Sequence, residues 1–215
     1  MTVHVKICGV RTASDARACV ELGASAIGVN FVASSPRFVD VGAAREIARA
    51  VHATGSKTIV VGVVAGKSVE ELRELVSAAE LDCLQLHGDE APEVVAALLP
   101  HAYKAVRVAA ENDVSHARSF PGDHLLVDAK VEGVLGGSGA VFDWSLVTSL
   151  ARERRLTLAG GLHPGNVEAA IRAVEPYCVD VASGVEVSPG VKDLAKVRAF
   201  VEATRAAAGL LSSTR

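Results

Sequence analysis

Aromatic residues are scarce in this chain: phenylalanine, tyrosine and tryptophan make up 4% of its 215 residues. No basic stripe runs between them, and the formal charge is −3. That combination argues against a general polyanion binder and predicts no nucleic-acid role, so any anionic ligand must be held by a local site. No apolar run approaches the roughly 20 residues needed to span a bilayer, which predicts no membrane partner. The stretch from Met1 to Lys6 lacks the basic, apolar and cleavage regions of a secretory signal, so a cytoplasmic protein is expected. Cysteine is sparse as well. Cys8, Cys19, Cys83 and Cys178 show no Cys-x-x-Cys or Cys-His spacing, so neither a disulfide framework nor a zinc site is indicated. The ordinary role of each is a small buried apolar side chain.

Half of the residues are apolar and 22% are charged, the profile of a globular chain with a core of Val, Ala and Leu. The length fits a single domain over residues 1–215, with about eight residues after Ala207 as a frayed tail. Short β-branched runs alternate with helical stretches. Val3–Cys8 reads as a strand, and Ser14–Leu22 as a helix closed by Gly23. Ala26–Val32 is the second strand and Val41–Val51 its helix. Thr58–Val64 is the third, and Ser68 with Glu71 three residues later forms a capping box for a helix to Ala79. Strands follow at Cys83–Leu86, Tyr103–Val108, His124–Asp128, Arg155–Ala159 and Cys178–Ala182. The helices among them fall at Ala91–Leu99, Asp113–Ser119, a short one from Asp143, Pro164–Val174 with proline in the first turn, and Val191–Ala207.

Eight strand-then-helix units without a linker make an α/β chain, and eight is the count that closes a (β/α)8 TIM barrel. An open doubly wound sheet is the alternative, but it wants a nucleotide signature after the first strand. Cys8-Gly9-Val10-Arg11-Thr12 stands there instead, with no G-x-G-x-x-G and no Walker sequence. The barrel is the better reading, and it places chemistry at the C-terminal strand ends.

Side chains two apart on a strand share a face. His4, Lys6 and Cys8 therefore face together, as do Cys83, Gln85 and His87, then Leu126 and Asp128, then Cys178, Asp180 and Ala182. The inward polar set at the barrel top becomes Cys8, Gln85, His87, Asp128 and Asp180. Each has an ordinary explanation as a hydrogen-bonded brace of the mouth, although a buried carboxylate needs a partner or a job. Gly160-Gly161 after the seventh strand and Ser183-Gly184 after the eighth stand where this fold holds phosphate on backbone N–H groups. Glycine pairs also serve plain turns, so their placement is what singles these out. Gly136-Gly137-Ser138-Gly139 in the sixth loop reads as plain flexibility or as a mobile cover. Arg37, just after the second strand, is either a solvated surface arginine or a fork for a carboxylate.

These pieces occur in order nearly end to end: Lys6-Ile7-Cys8-Gly9, Ser35-Pro36-Arg37, Gln85-Leu86-His87-Gly88, and Leu126-Val127-Asp128-Ala129-Lys130. They continue with Gly136-Gly137-Ser138-Gly139, Phe142-Asp143-Trp144, Gly160-Gly161-Leu162 and Asp180-Val181-Ala182-Ser183-Gly184-Val185-Glu186. Together they resemble the phosphoribosylanthranilate isomerase family. The resemblance implies a TIM-barrel isomerase of tryptophan biosynthesis that performs an Amadori rearrangement on an anionic small molecule bearing a phosphate and an anthranilate carboxylate. It implies Asp128 as general acid and Cys8 as general base. Arg37 and Asp180 would hold the anthranilate end, Gln85 and His87 would line the substrate site, and the Gly160-Gly161 and Ser183-Gly184 loops would take the phosphate. It implies no metal and no organic cofactor, and a monomer or a homodimer. A free thiol titrates at about 8.5, which leaves enough thiolate near neutrality to deprotonate an acidified carbon. A free aspartate titrates at about 3.9, so an aspartic general acid must be kept protonated by desolvation or neighbouring negative charge.

The chain departs from the family pattern at Ala129, where threonine is usual, and at Asn30, Gly66, Arg107 and His163. These positions bear on affinity and loop order. Two other readings compete. A metal-dependent sugar-phosphate epimerase needs His and Asp ligands on several strand ends, and only His87 with Asp128 or Asp180 would supply them. A binding or scaffold barrel needs neither an acid nor a base.

Overall fold

The alternation of β-branched runs with amphipathic stretches folds into a closed parallel barrel in a computed structural model that describes residues 2–128 and 144–213. The first four strands are β1 (His4–Cys8), β2 (Ala26–Asn30), β3 (Ile59–Val64) and β4 (Cys83–Leu86). The next four are β5 (Ala102–Arg107), β6 (His124–Asp128), β7 (Arg155–Ala159) and β8 (Cys178–Val181). Each pairs in parallel with its neighbours in chain order, and β1 also pairs with β8, with Lys6 opposite Asp180 in the register. Closure leaves the barrel no edge.

Helices cover the outside: α1 (Ala13–Leu22), α2 (Val41–His52), α3 (Val69–Ala79) and α4 (Pro92–Leu98). They continue with α5 (Glu111–Arg118), α6 (Thr148–Glu153), α7 (Val167–Val174) and α8 (Leu194–Ser213). Local chemistry fixes several starts. Thr12 accepts from Asp15 N, Asp40 accepts from Ala43 N, and Ser68 and Glu71 form the expected reciprocal capping box. The apolar face of α2, with Ala44, Ile47, Ala48 and Val51, is buried against the sheet side of the core. A separate, smaller cluster inside the barrel joins Ala26, Val61, Tyr103, Ala105, Leu126 and Ala159. Small residues on several strands leave room in that interior for the polar side chains that meet there.

Two expected helix starts are displaced. The stretch expected to open a helix at Pro164 forms a turn, in which His163 N donates to Asn166 Oδ1 and Gly165 N donates to His163 Nδ1. Side chains that bond their own backbone compete with the helix, so α7 begins only at Val167. Val191 and Lys192 do not open the last helix but form β10 (Val191–Lys192), antiparallel to β9 (Glu186–Ser188). Asp193 then accepts from Ala195 N and Lys196 N and starts α8. That helix runs to Ser213, past the Ala207 expected to begin a frayed tail, because Ala207 and Ala208 are buried in the core. The Gly136-Gly137-Ser138-Gly139 loop, Ala129 and the helix start at Asp143 lie outside the described residues.

At the N-terminal mouth, His124 stacks on Tyr103 with centroids 4.2 Å apart and shares a 2.8 Å hydrogen bond with Thr157 Oγ1. Burial lowers its pKa to about 4, with Lys6 and Arg155 adding to the shift and Asp123 opposing it. The unfolded chain therefore takes up a proton at about pH 6.5 that the folded chain refuses until about pH 4. Stability is expected to fall by about 3 kcal/mol as pH drops through that window. Urea titrations at pH 7 and 4.5 check this: the loss should shrink in His124→Phe, and an equal loss in both proteins would exclude His124 as its source.

Candidate active site

The C-terminal mouth opens into a cavity of about 360 Å3. Cys8 ends β1 and Asp128 ends β6, and both line it. In the strand order β7 and β8 separate them one way round and four strands the other, so they stand on different sides of the wall. Gln85 from β4, His87 just beyond it and Asp180 from β8 complete the expected polar set. Arg37 enters from the loop after β2, while Gly160, Gly161 and Ser183 enter from the loops after β7 and β8.

Gly184 stands behind that wall. A Cβ there would lie 2.0 Å from the Leu162 carbonyl oxygen and 2.9 Å from His163 Cβ, so the loops after β7 and β8 touch because this residue has no side chain. Gly184→Ala is expected to force them apart, costing about 1–3 kcal/mol of stability and raising KM more than it lowers kcat. Steady-state kinetics with thermal melts test it, and parent-like values in both would contradict the packing. Gly28 plays the same part beside the thiol, since a Cβ on it would meet Cys8 Sγ at 2.8 Å.

Beneath the cavity lies Lys6, a residue that the strand pattern put on the same face as Cys8 but not in the polar set. Its side chain is 2% exposed. It donates to Gln85 Oε1 at 2.8 Å and pairs with Asp180 Oδ1 at 3.1 Å. Tyr103 donates its hydroxyl to the same Gln85 oxygen at 3.2 Å. A lysine in this position is tolerated because its neighbours neutralise and hydrogen-bond it.

Burial pushes the Cys8 thiol above its ordinary value, and Asp180 adds to the rise while Lys6 and Lys192 oppose it. The thiolate fraction is therefore smaller than that of a free cysteine. Burial lowers the pKa of His87, against the pull of Asp128 and Asp180.

Arg37 is already engaged. Its Nε donates to Glu186 Oε1 at 2.8 Å and its Nη2 to Oε2 at 2.6 Å, leaving Nη1 for a ligand. Lys192 ties the same carboxylate to the barrel, donating to Glu186 Oε1 at 2.8 Å and to the Cys8 carbonyl at 2.6 Å. Burial raises the Glu186 pKa, but the bonds from Arg37 and Lys192 outweigh it and hold the carboxyl below the usual range. Asn30, a departure from the family pattern, lines the cavity while its Oδ1 accepts from Val32 N at 2.8 Å, which shapes the loop that carries Arg37.

A second opening, of about 400 Å3, lies at the N-terminal mouth among His4, Tyr103, His124 and Tyr177, with Ala24, Ala26, Ile59 and Val61. Its lining is largely apolar and aromatic. Among the described residues, only the C-terminal cavity joins a thiol, a carboxyl, an arginine and glycine-rich loops.

Comparison with known proteins points the same way. Residues 5–203 match the family model described as N-(5'phosphoribosyl)anthranilate (PRA) isomerase. The chain is 48% identical over 206 residues to the N-(5'-phosphoribosyl)anthranilate isomerase of Pseudomonas aeruginosa (strain LESB58), covering 94% of this chain and 95% of that protein. The enzyme of that name from Myxococcus xanthus (strain DK1622) is 45% identical over 210 residues, covering 95% and 97% respectively. Among solved structures, the Thermotoga maritima phosphoribosyl anthranilate isomerase superposes with a TM-score of 0.85 at 37% identity, covering 95% of this chain and 100% of that one. A further solved structure, of a phosphoribosyl anthranilate isomerase in complex with reduced 1-(o-carboxyphenylamino)-1-deoxyribulose 5-phosphate, has a TM-score of 0.83 at 34% identity, with coverage of 95% and 100%.

Proposed function

Because this chain belongs to the N-(5'-phosphoribosyl)anthranilate isomerase family of tryptophan biosynthesis, we propose that Asp128 and Cys8 drive its Amadori rearrangement in the C-terminal cavity. The observation that carries the assignment is that both residues line one cavity from separated strands. Asp128 delivers a proton to the furanose oxygen. The C1–O bond breaks as the anthranilate nitrogen lone pair forms the C1 iminium ion. That cation acidifies the C2 hydrogen, which the Cys8 thiolate removes to give the enolamine. Protonation at C1 and loss of the C2 hydroxyl proton complete the aminodeoxyribulose.

The ends of the substrate are distinguished by charge and shape. The phosphate lies against the backbone at Gly160, Gly161 and Ser183, with Gly184 keeping the two loops together. The anthranilate carboxylate takes the open edge of Arg37, whose other edge Glu186 holds. Asp180 faces Lys6, and a second carboxylate beside the anthranilate anion would repel it, so its contribution runs through Lys6.

The test follows the fluorescence of freshly generated N-(5'-phosphoribosyl)anthranilate. Purified protein is expected to accelerate its disappearance strongly, with formation of the aminodeoxyribulose product. Decay at the spontaneous rate would refute the assignment.

A further inference from the structure

The orientation of one amide sets the proton on one imidazole. An ammonium has only donors, so the Gln85 atom 2.8 Å from Lys6 Nζ has to be the oxygen. Tyr103 donates to that same oxygen. Turning the amide over would place its NH2 against the buried ammonium. With Oε1 inward, Gln85 Nε2 lies 2.8 Å from His87 Nδ1. An amide nitrogen donates and does not accept, so His87 Nδ1 is the acceptor and carries no hydrogen. The imidazole is then neutral, with its proton on Nε2. The charged groups that act on it are Lys6 of β1, Lys104 of β5, Asp128 of β6 and Asp180 of β8.

We propose that Lys6 and Gln85 are positioning residues that lock His87 as its Nε2–H tautomer, so that the imidazole presents a hydrogen-bond donor to the oxygens of the pentose. The proposal deepens the isomerase reading and rests on it. His87 lines the cavity together with Cys8 and Asp128, where the ring opens. A lone pair aimed at the sugar oxygens would repel them. An imidazolium would oppose formation of the iminium cation. A neutral N–H does neither.

The experiment combines NMR of nitrogen-15 histidine-labelled protein with steady-state kinetics. In the parent, His87 Nδ1 is expected to show the signal of a bare ring nitrogen, and Nε2 that of an N–H. Gln85→Met removes the amide. Signals of the Nδ1–H tautomer should then appear, with kcat lower by on the order of 10–10²-fold and KM changed by less than about threefold. In a His87→Gln background the side-chain amide donates whatever stands at residue 85, so adding Gln85→Met should cost less than about threefold more. A protonated Nδ1 in the parent would overturn the proposal without any variant. So would parent-like kcat in Gln85→Met once the tautomer has changed. A parent that fails to convert the substrate would instead sink the isomerase reading, while the tautomer measured by NMR would still report the lock.

Discussion

Replacing Asp128 with asparagine is expected to lower kcat by about 10²–10⁴-fold, equivalent to about 3–5 kcal/mol of transition-state stabilisation. The amide matches the carboxyl in size but has no acid proton for the furanose oxygen. KM and the unfolding midpoint should stay near parent values, because the strand here is held by backbone pairing opposite Arg107 and Ala159. Cys8→Ala should lose a comparable factor, with a distinguishing pH profile. In the parent, kcat/KM should climb with pH toward a midpoint above the ordinary thiol value, since burial raises the Cys8 pKa in the free enzyme and raising pH restores the base. The alanine variant should lose that rising limb. Fluorescence-detected kinetics across pH, with thermal melts as control, read all of this. Near-parent turnover in both variants would remove these residues from the mechanism.

The second large effect is on stability. Lys104→Met is expected to destabilise the protein by about 3–5 kcal/mol, the cost of leaving a buried charge without its partner. The side chains of Lys104 and Glu90 are 5% and 3% exposed and lie 3.3 Å apart. Lys104 also donates to the carbonyls of Leu86, Gly88 and Ala105, and Glu90 accepts from the N–H groups of Gly66 and Gly88. The pair ties the loops after β3 and β4 to β5, beside His87. Removing the cation strands the carboxylate, whereas pairing it with Glu90→Gln removes the uncompensated charge. Urea unfolding should therefore find the double variant more stable than Lys104→Met alone. Equal or lower stability of the double variant would contradict a charge-based explanation.

Strand periodicity made much of the barrel legible. Cys83–Leu86, His124–Asp128 and Arg155–Ala159 occupy their expected ranges, because β-branched and alternating runs bounded by turns are local signals. The same alternation assigned Cys8, Gln85, His87, Asp128 and Asp180 to the cavity they line. It missed residues whose work is long-range. Lys6 reads as an ordinary strand lysine until closure brings Asp180, 174 positions away, against it. Arg37 and Glu186 are 149 positions apart, and no local pattern announces that they bind each other. Lys192 looked like part of a helix start. Its ammonium instead turns inward to Glu186 and the Cys8 carbonyl, which favours the short β9–β10 ribbon over helix. The turn at His163–Asn166 was hidden for another reason: proline is compatible with a first helical turn, and only the His163 and Asn166 side-chain bonds decide against one.

The most direct measurement is a crystal structure of this protein soaked with reduced 1-(o-carboxyphenylamino)-1-deoxyribulose 5-phosphate. The expected complex has the sugar chain bridging Cys8 Sγ and the Asp128 carboxyl, the phosphate at Gly161 and Ser183, and the carboxylate on Arg37 Nη1. A ligand seated in the C-terminal cavity with its sugar carbons out of reach of either Cys8 or Asp128 would contradict the acid–base assignment.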